Sequence, residues 1–245
     1  MISNFLFIGH RGTRRDFDEN TILAFKKAIE YGANYIEFDI RKTKDRKLVV
    51  LHDSNLNRTT NGSGFLKDFT YKEIKTFKTV INQNNIPLLT EIFDNFKGKV
   101  NFMIELKEED LVEEVVEIIN SNNLLTDTVI SGKCLDDLLK IKNEIPHIRI
   151  CFNITKGLGL SLKEFLKMGS GIKKKIKFDM ISLKSNLITE KFIETCHING
   201  IMALSWDFLG YENPINKINF LVSKGIDGIL FDDYKNINKI RLRSS

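Results

Sequence analysis

Short apolar runs alternate with longer amphipathic segments along most of the chain. Eight runs have the length and buried character of strands: residues 5–9, 35–40, 101–106, 128–131, 148–152, 180–183, 202–206 and 228–231. Apolar residues at three- and four-residue spacing predict helices between them, over residues 21–31, 111–119, 135–145, 162–168, 190–197 and 214–222. This alternation is typical of parallel βα units.

Eight such units predict an α/β fold, a closed TIM (β/α)8 barrel. An open doubly wound sheet is the alternative, but it normally carries a glycine-rich phosphate loop after its first strand. Gly12 alone does not supply that loop. The closed barrel is therefore the favoured architecture.

One apolar run does not fit the repeat. Residues 47–52 follow the strand 35–40 after a turn at residues 42–46, with no helix between them, which predicts a hairpin arm. Residues 54–90 then hold Asn-, Thr- and Gly-rich turns and one short helix near residues 71–77. We expect one barrel domain over residues 1–245, with residues 47–92 as the hairpin plus an insertion in the second βα loop, placed over the face formed by the carboxyl ends of the strands.

Composition limits the class of protein further. The 245 residues are 42% hydrophobic and 28% charged. No apolar run approaches the ~20 residues that a membrane span requires, and the N-terminal run is interpreted as the first strand rather than a signal peptide. Three widely spaced cysteines, Cys134, Cys151 and Cys196, argue against a disulfide framework or structural zinc and favour a cytoplasmic protein.

The net charge of +5 is mild. It is enough to steer an anionic small molecule, whereas nucleic-acid binding usually needs a concentrated basic patch. The densest basic run, residues 173–177, is interpreted as a solvated loop. We expect neither a nucleic-acid partner nor stable membrane insertion, and the sequence does not set the oligomeric state.

Acidic residues stand at the ends of two predicted barrel strands. Glu37 and Asp39 are two residues apart, so their side chains share a strand face, and Glu105 ends the next barrel strand. Three carboxylates at one mouth repel one another unless a cation or a proton intervenes. With water and phosphate oxygens they match the oxygen shell of one divalent cation, Mg2+ or Ca2+. Pairing with surface Lys and Arg is the alternative role for these acids.

Histidines and cations complete the candidate site. His10 ends the first strand and His52 ends the hairpin arm, and an imidazole with a pKa of about 6.5 suits general acid and base catalysis. Arg11 and Lys107 are expected to bind the free oxygens of a phosphodiester and to stabilise developing charge. Trp206 ends a strand at the same mouth, where it either stacks on substrate carbons or packs in the core.

These residues resemble the motifs of the glycerophosphodiester phosphodiesterase family. The matching stretches run in order along the chain: His10-Arg11-Gly12, Glu19-Asn20-Thr21, Glu37-Phe38-Asp39, His52-Asp53 with residues 56–62, residues 86–91, Glu105-Leu106-Lys107, Trp206 and residues 225–232. The resemblance implies a TIM barrel with a small insertion that hydrolyses glycerophosphodiesters to glycerol 3-phosphate and an alcohol. It further implies an acid–base pair of His10 and His52, metal binding by the three carboxylates, and phosphate contacts from Arg11 and Lys107.

Two departures from the family pattern are clear. Asp18 stands where the family usually has Pro before Glu-Asn-Thr, and Asp207 follows Trp206 where a Trp-Thr-Val-Asn pattern is usual. The second departure leaves the substrate preference open. A lysophospholipase D or a sphingomyelinase D-like lipid phosphodiesterase on the same barrel is the alternative activity, and a non-catalytic barrel that binds phosphate ligands is a third. The nucleophile, either water or the glycerol 2-hydroxyl, and the division of acid and base between the histidines also stay open.

Overall fold

The computed structural model describes residues 5–170 and 177–242, so residues 173–176 of the basic run lie outside the described part. Nine strands lie in the described residues: β1 Leu6–His10, β2 Tyr35–Lys42, β3 Leu48–Val50, β4 Asn101–Leu106, β5 Thr128–Gly132, β6 Arg149–Asn153, β7 Met180–Lys184, β8 Met202–Trp206 and β9 Gly228–Phe231. The α-helices of the same residues are α1 Ile22–Glu30, α2 Tyr71–Ile74, α3 Leu89–Phe96, α4 Val112–Ser121, α5 Leu135–Glu144, α6 Leu162–Met168, α7 Glu190–Ile198 and α8 Pro214–Ser223.

Parallel pairing closes the sheet on itself. β1 pairs with β2 on one side and with β9 on the other, and β4 to β9 follow in sequence order around the barrel. The eight-stranded (β/α)8 barrel predicted from the sequence is thereby confirmed, and the open doubly wound sheet is excluded. A 3-10 helix, Tyr234–Lys239, follows β9 in the place of an eighth outer helix.

The period of two along each strand divides the barrel residues between two environments. One set points inward and forms a small apolar core: Leu6, Ile8, Tyr35, Met103, Val129, Cys151, Met180, Leu204 and Leu230. The other set packs against the helices in a much larger cluster. On each strand, the residue two positions after the last of these core residues also points inward, and it lies at the carboxyl end of the strand. The candidate site occupies this end.

The predicted hairpin arm is present on the longest barrel strand. β2 continues past the end of β1, and its last residues pair antiparallel with β3, in the register Ile40 with Val50 and Lys42 with Leu48. β3 thus takes the side of β2 that β1 leaves free above the barrel. The following segment has its own apolar cluster, made of Val49, Leu51, Leu56, Leu66, Ile74 and Ile86. This cluster holds the inserted segment as a compact unit at the carboxyl end of the strands.

One helix is not among those predicted from periodicity. α3 begins at Leu89, inside the range 47–92 assigned to the hairpin and insertion, and it is the outer helix that precedes β4. Its buried residues Ile92, Phe93 and Phe96 follow helical spacing. Among the described residues, no helix has both the length and the apolar character needed to span a bilayer.

Candidate active site

Three carboxylates meet at the mouth of the barrel. The register between β2 and β4 pairs Asp39 with Glu105, and the register between β1 and β2 pairs His10 with Glu37. One oxygen from each of Glu37, Asp39 and Glu105 lies within 4.8 Å of the others. Glu37 and Asp39 are fully buried, whereas Glu105 reaches the solvent-facing side of the mouth. The sequence prediction that these acids converge is correct.

Glu37 is the carboxylate of the three whose ionised form is least stabilised by its surroundings. Its Oε2 accepts a 2.8 Å hydrogen bond from the backbone N–H of Arg11, while its Oε1 is buried without any hydrogen-bond partner. Burial, followed by the charges of Asp39 and Glu105, raises the pKa of Glu37 well above its usual range. An orphaned carboxylate oxygen that faces two further carboxylates is suited to bind a cation.

Asp39 is held in the charged form by cations. Its Oδ2 lies 3.2 Å from Arg11 Nε and accepts a 2.9 Å hydrogen bond from Asn20 Nδ2, and its Oδ1 lies 3.4 Å from Lys107 Nζ. Burial opposes ionisation, but Arg11 and Lys107 outweigh it and keep the pKa of Asp39 well below its ordinary value. Lys107 also pairs with Glu105 at 2.9 Å, as the two-residue spacing on one strand face predicts.

The oxygens present fit a hard divalent cation. Mg2+ and Ca2+ prefer carboxylate oxygens, and neither binds through sulfur or an imidazole as its main ligand. Glu37, Asp39 and Glu105 supply that donor set, and a bound cation would offset the burial and the carboxylate repulsion that raise the pKa of Glu37. The three residues are therefore the ones that would hold the metal ion.

The loop after β1 is shaped by backbone strain. Arg11 has a φ of 53°, which turns its N–H toward Glu37, and Gly12 follows with a φ of 79°. A Cβ at Gly12 would lie 2.7 Å from the backbone carbon of Ala24 in α1, so only glycine fits between this loop and the helix. Gly12 thus serves the site by letting the loop fold close to α1, and not as part of a phosphate-binding glycine-rich loop.

His10 is oriented by a carboxylate from the other end of the chain. Its Nδ1 lies 2.8 Å from Asp232 Oδ1, which also accepts from Arg14 Nε at 2.5 Å. Asp232 Oδ2 accepts a hydrogen bond from the backbone N–H of Phe208 at 3.2 Å. His10 and Arg14 keep the pKa of Asp232 low despite its burial. With Nδ1 engaged, the Nε2 atom of His10 is the one left for proton transfer.

His52 follows β3 and is oriented by its own neighbour in the sequence. Its Nδ1 lies 2.6 Å from Asp53 Oδ1, and the opposite oxygen of Asp53 accepts from Arg58 Nε at 2.6 Å. Burial lowers the pKa of His52 from its usual value, and Arg11 and Lys107 act in the same direction. A lowered pKa favours the uncharged ring, which is the form that accepts a proton.

A chain of ion pairs connects the two histidine-bearing segments. Arg58 donates to both oxygens of Glu19, at 2.6 and 3.0 Å, and Glu19 Oε1 in turn accepts from Arg11 at 2.8 Å. The two arginines lower the pKa of Glu19 to about 2 although the carboxylate is largely buried. Glu19 therefore holds Arg11 and Arg58 together, the former beside Asp39 and the latter beside Asp53.

Trp206 and Lys107 face a cavity of about 310 Å³ beside His52. The Trp206 ring lies 6.2 Å from the His10 ring in an edge-on arrangement, and its Nε1 is buried without a partner.

All eight residues selected from the sequence thus lie around one mouth. Five supporting residues were not assigned a role in catalysis or binding: Arg14, Asn20, Asp53, Arg58 and Asp232. For Asp53 and Asp232 a signal existed, since one adjoins His52 and the other immediately follows a strand.

Several known proteins are similar to this chain. The glycerophosphodiester phosphodiesterase of Caldanaerobacter subterraneus subsp. tengcongensis is 32% identical over 250 residues, covering 96% of this chain and 98% of that protein. Lysophospholipase D GDPD1 of Homo sapiens is 30% identical over 164 residues, covering 62% of this chain and 52% of that protein. The structure of an Oleispira antarctica phosphodiesterase in complex with the product sn-glycerol-3-phosphate shares the fold, with a TM-score of 0.79, 20% identity and 96% coverage of each chain.

A barrel mouth that combines three converging carboxylates with two oriented imidazoles suits a hydrolase that acts on phosphate diesters. The family model of the glycerophosphoryl diester phosphodiesterases matches residues 10–236. The chain belongs to that family, which confirms the resemblance found in its sequence and the enzyme class that the resemblance implies.

Proposed function

We propose that the protein hydrolyses glycerophosphodiesters to glycerol 3-phosphate and an alcohol, with Mg2+ or Ca2+ held by Glu37, Asp39 and Glu105. The observation that carries the proposal is the buried, unpartnered Oε1 of Glu37 among two further carboxylates and two cations. A bound divalent cation supplies Lewis-acid polarisation of a phosphate oxygen. Family membership supplies the substrate class.

Arg11 and Lys107 are the candidates for phosphate binding. Arg11 is 8% exposed, and its position is fixed by Glu19 and Asp39, so its guanidinium is pre-organised. Lys107 lines the cavity with its ammonium beside Glu105. Both cations stabilise negative charge that grows on the phosphate oxygens in the transition state.

His10 and His52 divide the proton transfers between them. They come from different chain segments, and each has its Nδ1 fixed by a carboxylate. One imidazole takes a proton from the nucleophile, either water or the glycerol 2-hydroxyl, and the other protonates the leaving alkoxide. Asp232 and Asp53 fix the ring orientations and stabilise the imidazolium forms.

The direct test is release of glycerol 3-phosphate from glycerophosphocholine with Mg2+ or Ca2+ present. We expect turnover by the unmodified protein, loss of at least ~100-fold in His10→Ala and in His52→Ala, and no turnover after chelation. His147→Ala is the matched control, because His147 is exposed and precedes β6, at the opposite end of the barrel. Undiminished turnover in either active-site variant contradicts the proposed roles.

A lipid phosphodiesterase is the second candidate function. Apart from the relative named as a lysophospholipase D, the supporting observation is that Leu158 and Leu209, on the loops after β6 and β8, are about half exposed at the carboxyl end of the barrel. Exposed apolar side chains there suit an acyl chain or a lipid surface. Faster hydrolysis of lysophosphatidylcholine than of glycerophosphocholine would favour this activity.

A cytoplasmic location is proposed on the state of the cysteines. Cys134, Cys151 and Cys196 are all free thiols, and burial raises the pKa of Cys151 to about 12. Thiols persist in reducing compartments. Labelling of the unfolded protein, isolated without reductant from its native host, should modify three thiols per chain.

A further inference from the structure

The cavity beside His52 extends away from the carboxylate cluster. From Glu105 and Lys107 it continues along the ends of β5 and β6, where its wall is made by Lys133, Asn153, Thr155 and Lys156. The structure therefore provides a space next to the phosphate-binding residues that is larger than a phosphate group needs.

Some of the cationic side chains that line this cavity have a carboxylate partner and others do not. Arg41, which also lines the cavity, is paired with Glu108 at 3.0 Å, and Lys107 is paired with Glu105 at 2.9 Å. Lys133 and Lys156 are exposed, and neither has a carboxylate partner within residues 5–170 and 177–242. Glu105 is the one acid among the residues that line the cavity, and its charge is already matched by Lys107.

We propose that Lys133 and Lys156 form a subsite for the alcohol half of the substrate, which selects alcohols that carry a second phosphate. The inference rests on the proposed glycerophosphodiesterase function. The glycerol half of such a substrate has no charge, so charge selection at this wall acts on the alcohol. A second phosphate gains two unpaired ammonium partners, whereas a choline cation placed there meets two like charges.

The expected size of the effect follows from exposure. Exposed ion pairs contribute roughly 0.2–1 kcal/mol each, which for two lysines amounts to about a 2- to 30-fold effect. The contribution falls with ionic strength, because solvent-exposed charges are screened over about 10 Å at 0.1 M salt. Selectivity by these lysines is therefore strong at low salt and weak at high salt.

Three deacylated lipids test the inference, because their alcohols differ in charge. They are glycerophosphocholine, with a cationic alcohol, glycerophosphoglycerol, with an uncharged one, and 1,3-bis(glycerophospho)glycerol, whose alcohol carries a second phosphate. We expect kcat/KM to rise in that order by roughly threefold or more per step at low salt, and to converge at 0.5 M salt. The last compound has two equivalent scissile bonds, so its rate is halved before comparison.

Charge reversal supplies the decisive variant. In Lys133→Glu/Lys156→Glu we expect the order of the three substrates to invert. Lys26→Glu/Lys167→Glu makes the same change in net charge on the exposed outer faces of α1 and α6, and should keep the original order. Because the readout is a ratio between substrates, it does not depend on the fraction of each variant that folds. A second check is Lys133→Gln/Lys156→Gln, in which the preference among the three substrates should disappear.

The outcomes separate this inference from the function on which it rests. If the unmodified protein hydrolyses none of the three diesters, the proposed function fails. If it hydrolyses all three within twofold of one another, or if charge reversal leaves their order unchanged, the lysine subsite is overturned while the proposed function stands.

Discussion

Arg58 donates hydrogen bonds to both oxygens of Glu19, at 2.6 and 3.0 Å, and so ties the inserted segment to the loop after β1. The same guanidinium contacts both oxygens of Asp53, the carboxylate beside His52. The position of one histidine thus depends on a residue that does not line the cavity.

We predict that Arg58→Gln lowers kcat by roughly 10- to 100-fold, as is usual when the partner of a catalytic group is removed. KM should change much less, because Arg58 holds His52 directly through Asp53 but reaches the phosphate-binding Arg11 only through Glu19, which keeps its own hydrogen bond to Arg11. Arg58→Lys should recover part of the loss, since a lysine keeps one ion pair but not the planar fork.

Arg46→Gln is the matched control for this prediction. Arg46 is also an exposed arginine with a carboxylate partner, Glu114, but it lies in the turn between β2 and β3. Its loss should leave kcat unchanged. An equal fall in kcat for the two variants, or a rise in KM alone for Arg58→Gln, contradicts a positioning role.

A second prediction concerns the carboxylate behind His10. Asp232→Asn removes the charge that pairs with His10 and Arg14 while keeping the shape of the side chain. We expect kcat of the folded variant to fall by roughly 10- to 100-fold. The unfolding temperature should fall as well, because the lowered pKa of Asp232 means that its charge also stabilises the fold. Asp233→Asn is the control, because Asp233 caps the 3-10 helix through an oxygen that Asn also has. Normal turnover in Asp232→Asn would show that His10 does not need this partner.

The strand-end residues of the site were predictable because strands have a period of two. His10 lies two residues beyond the inward-facing Ile8, Glu105 lies two beyond Met103, and Trp206 lies two beyond Leu204. Each position therefore follows from one strand and from the order of strands in a barrel. The same reasoning places Asp232 two residues beyond Leu230, although its partner His10 is 222 positions away and cannot be deduced from spacing.

Contacts between loops were beyond this reasoning. Arg58 meets Glu19 across 39 positions, and that contact depends on how the inserted segment folds against the loop after β1. α3 could not be predicted for another reason: its apolar spacing begins directly after the turn-rich insertion. Its N-cap residue is Leu88, which has no side-chain oxygen to mark the start of a helix.

A third prediction concerns stability at acid pH. The pKa of Glu19 is about 2 in the folded protein, below the ordinary value of about 4.3, so its ion pairs stabilise the fold above pH ~4.3 and are lost as the pH falls toward 2. The shift corresponds to about 3 kcal/mol at most. Glu19→Gln should therefore lower the free energy of unfolding more at pH 7 than at pH 3, with the difference roughly halved at the lower pH.

Urea unfolding of the two proteins at both pH values measures this difference. Glu190→Gln is the control, because Glu190 pairs with Lys224 at the exposed surface and its loss should cost little at either pH. A Glu19→Gln effect that is the same at pH 7 and pH 3 would mean that the carboxylate is not held in its charged form by the two arginines.

The last prediction links the acidic cluster to metal binding without relying on turnover. The pKa of Glu37 is raised in the folded protein, so in the absence of metal its ionised form opposes folding. The free energy of unfolding therefore decreases as the pH rises above the ordinary pKa of a glutamate and through the raised pKa of Glu37. Glu37→Gln removes the charge while its amide oxygen can still accept from the Arg11 N–H. We therefore expect the metal-free variant to melt roughly 2–5 °C above the metal-free unmodified protein at pH 7.

Metal should reverse that order. At a concentration near 100 times its Kd, Mg2+ or Ca2+ stabilises the unmodified protein by about 2.7 kcal/mol, or roughly 5–10 °C, because it binds the folded state alone. Glu37→Gln should lose most of this rise, whereas Glu109→Gln, which removes an exposed carboxyl just after β4, should keep it. Differential scanning calorimetry with and without chelator measures all three proteins. An equal rise in Glu37→Gln and the unmodified protein would place the metal elsewhere, since the buried Oε1 of Glu37 has no other partner to stabilise it.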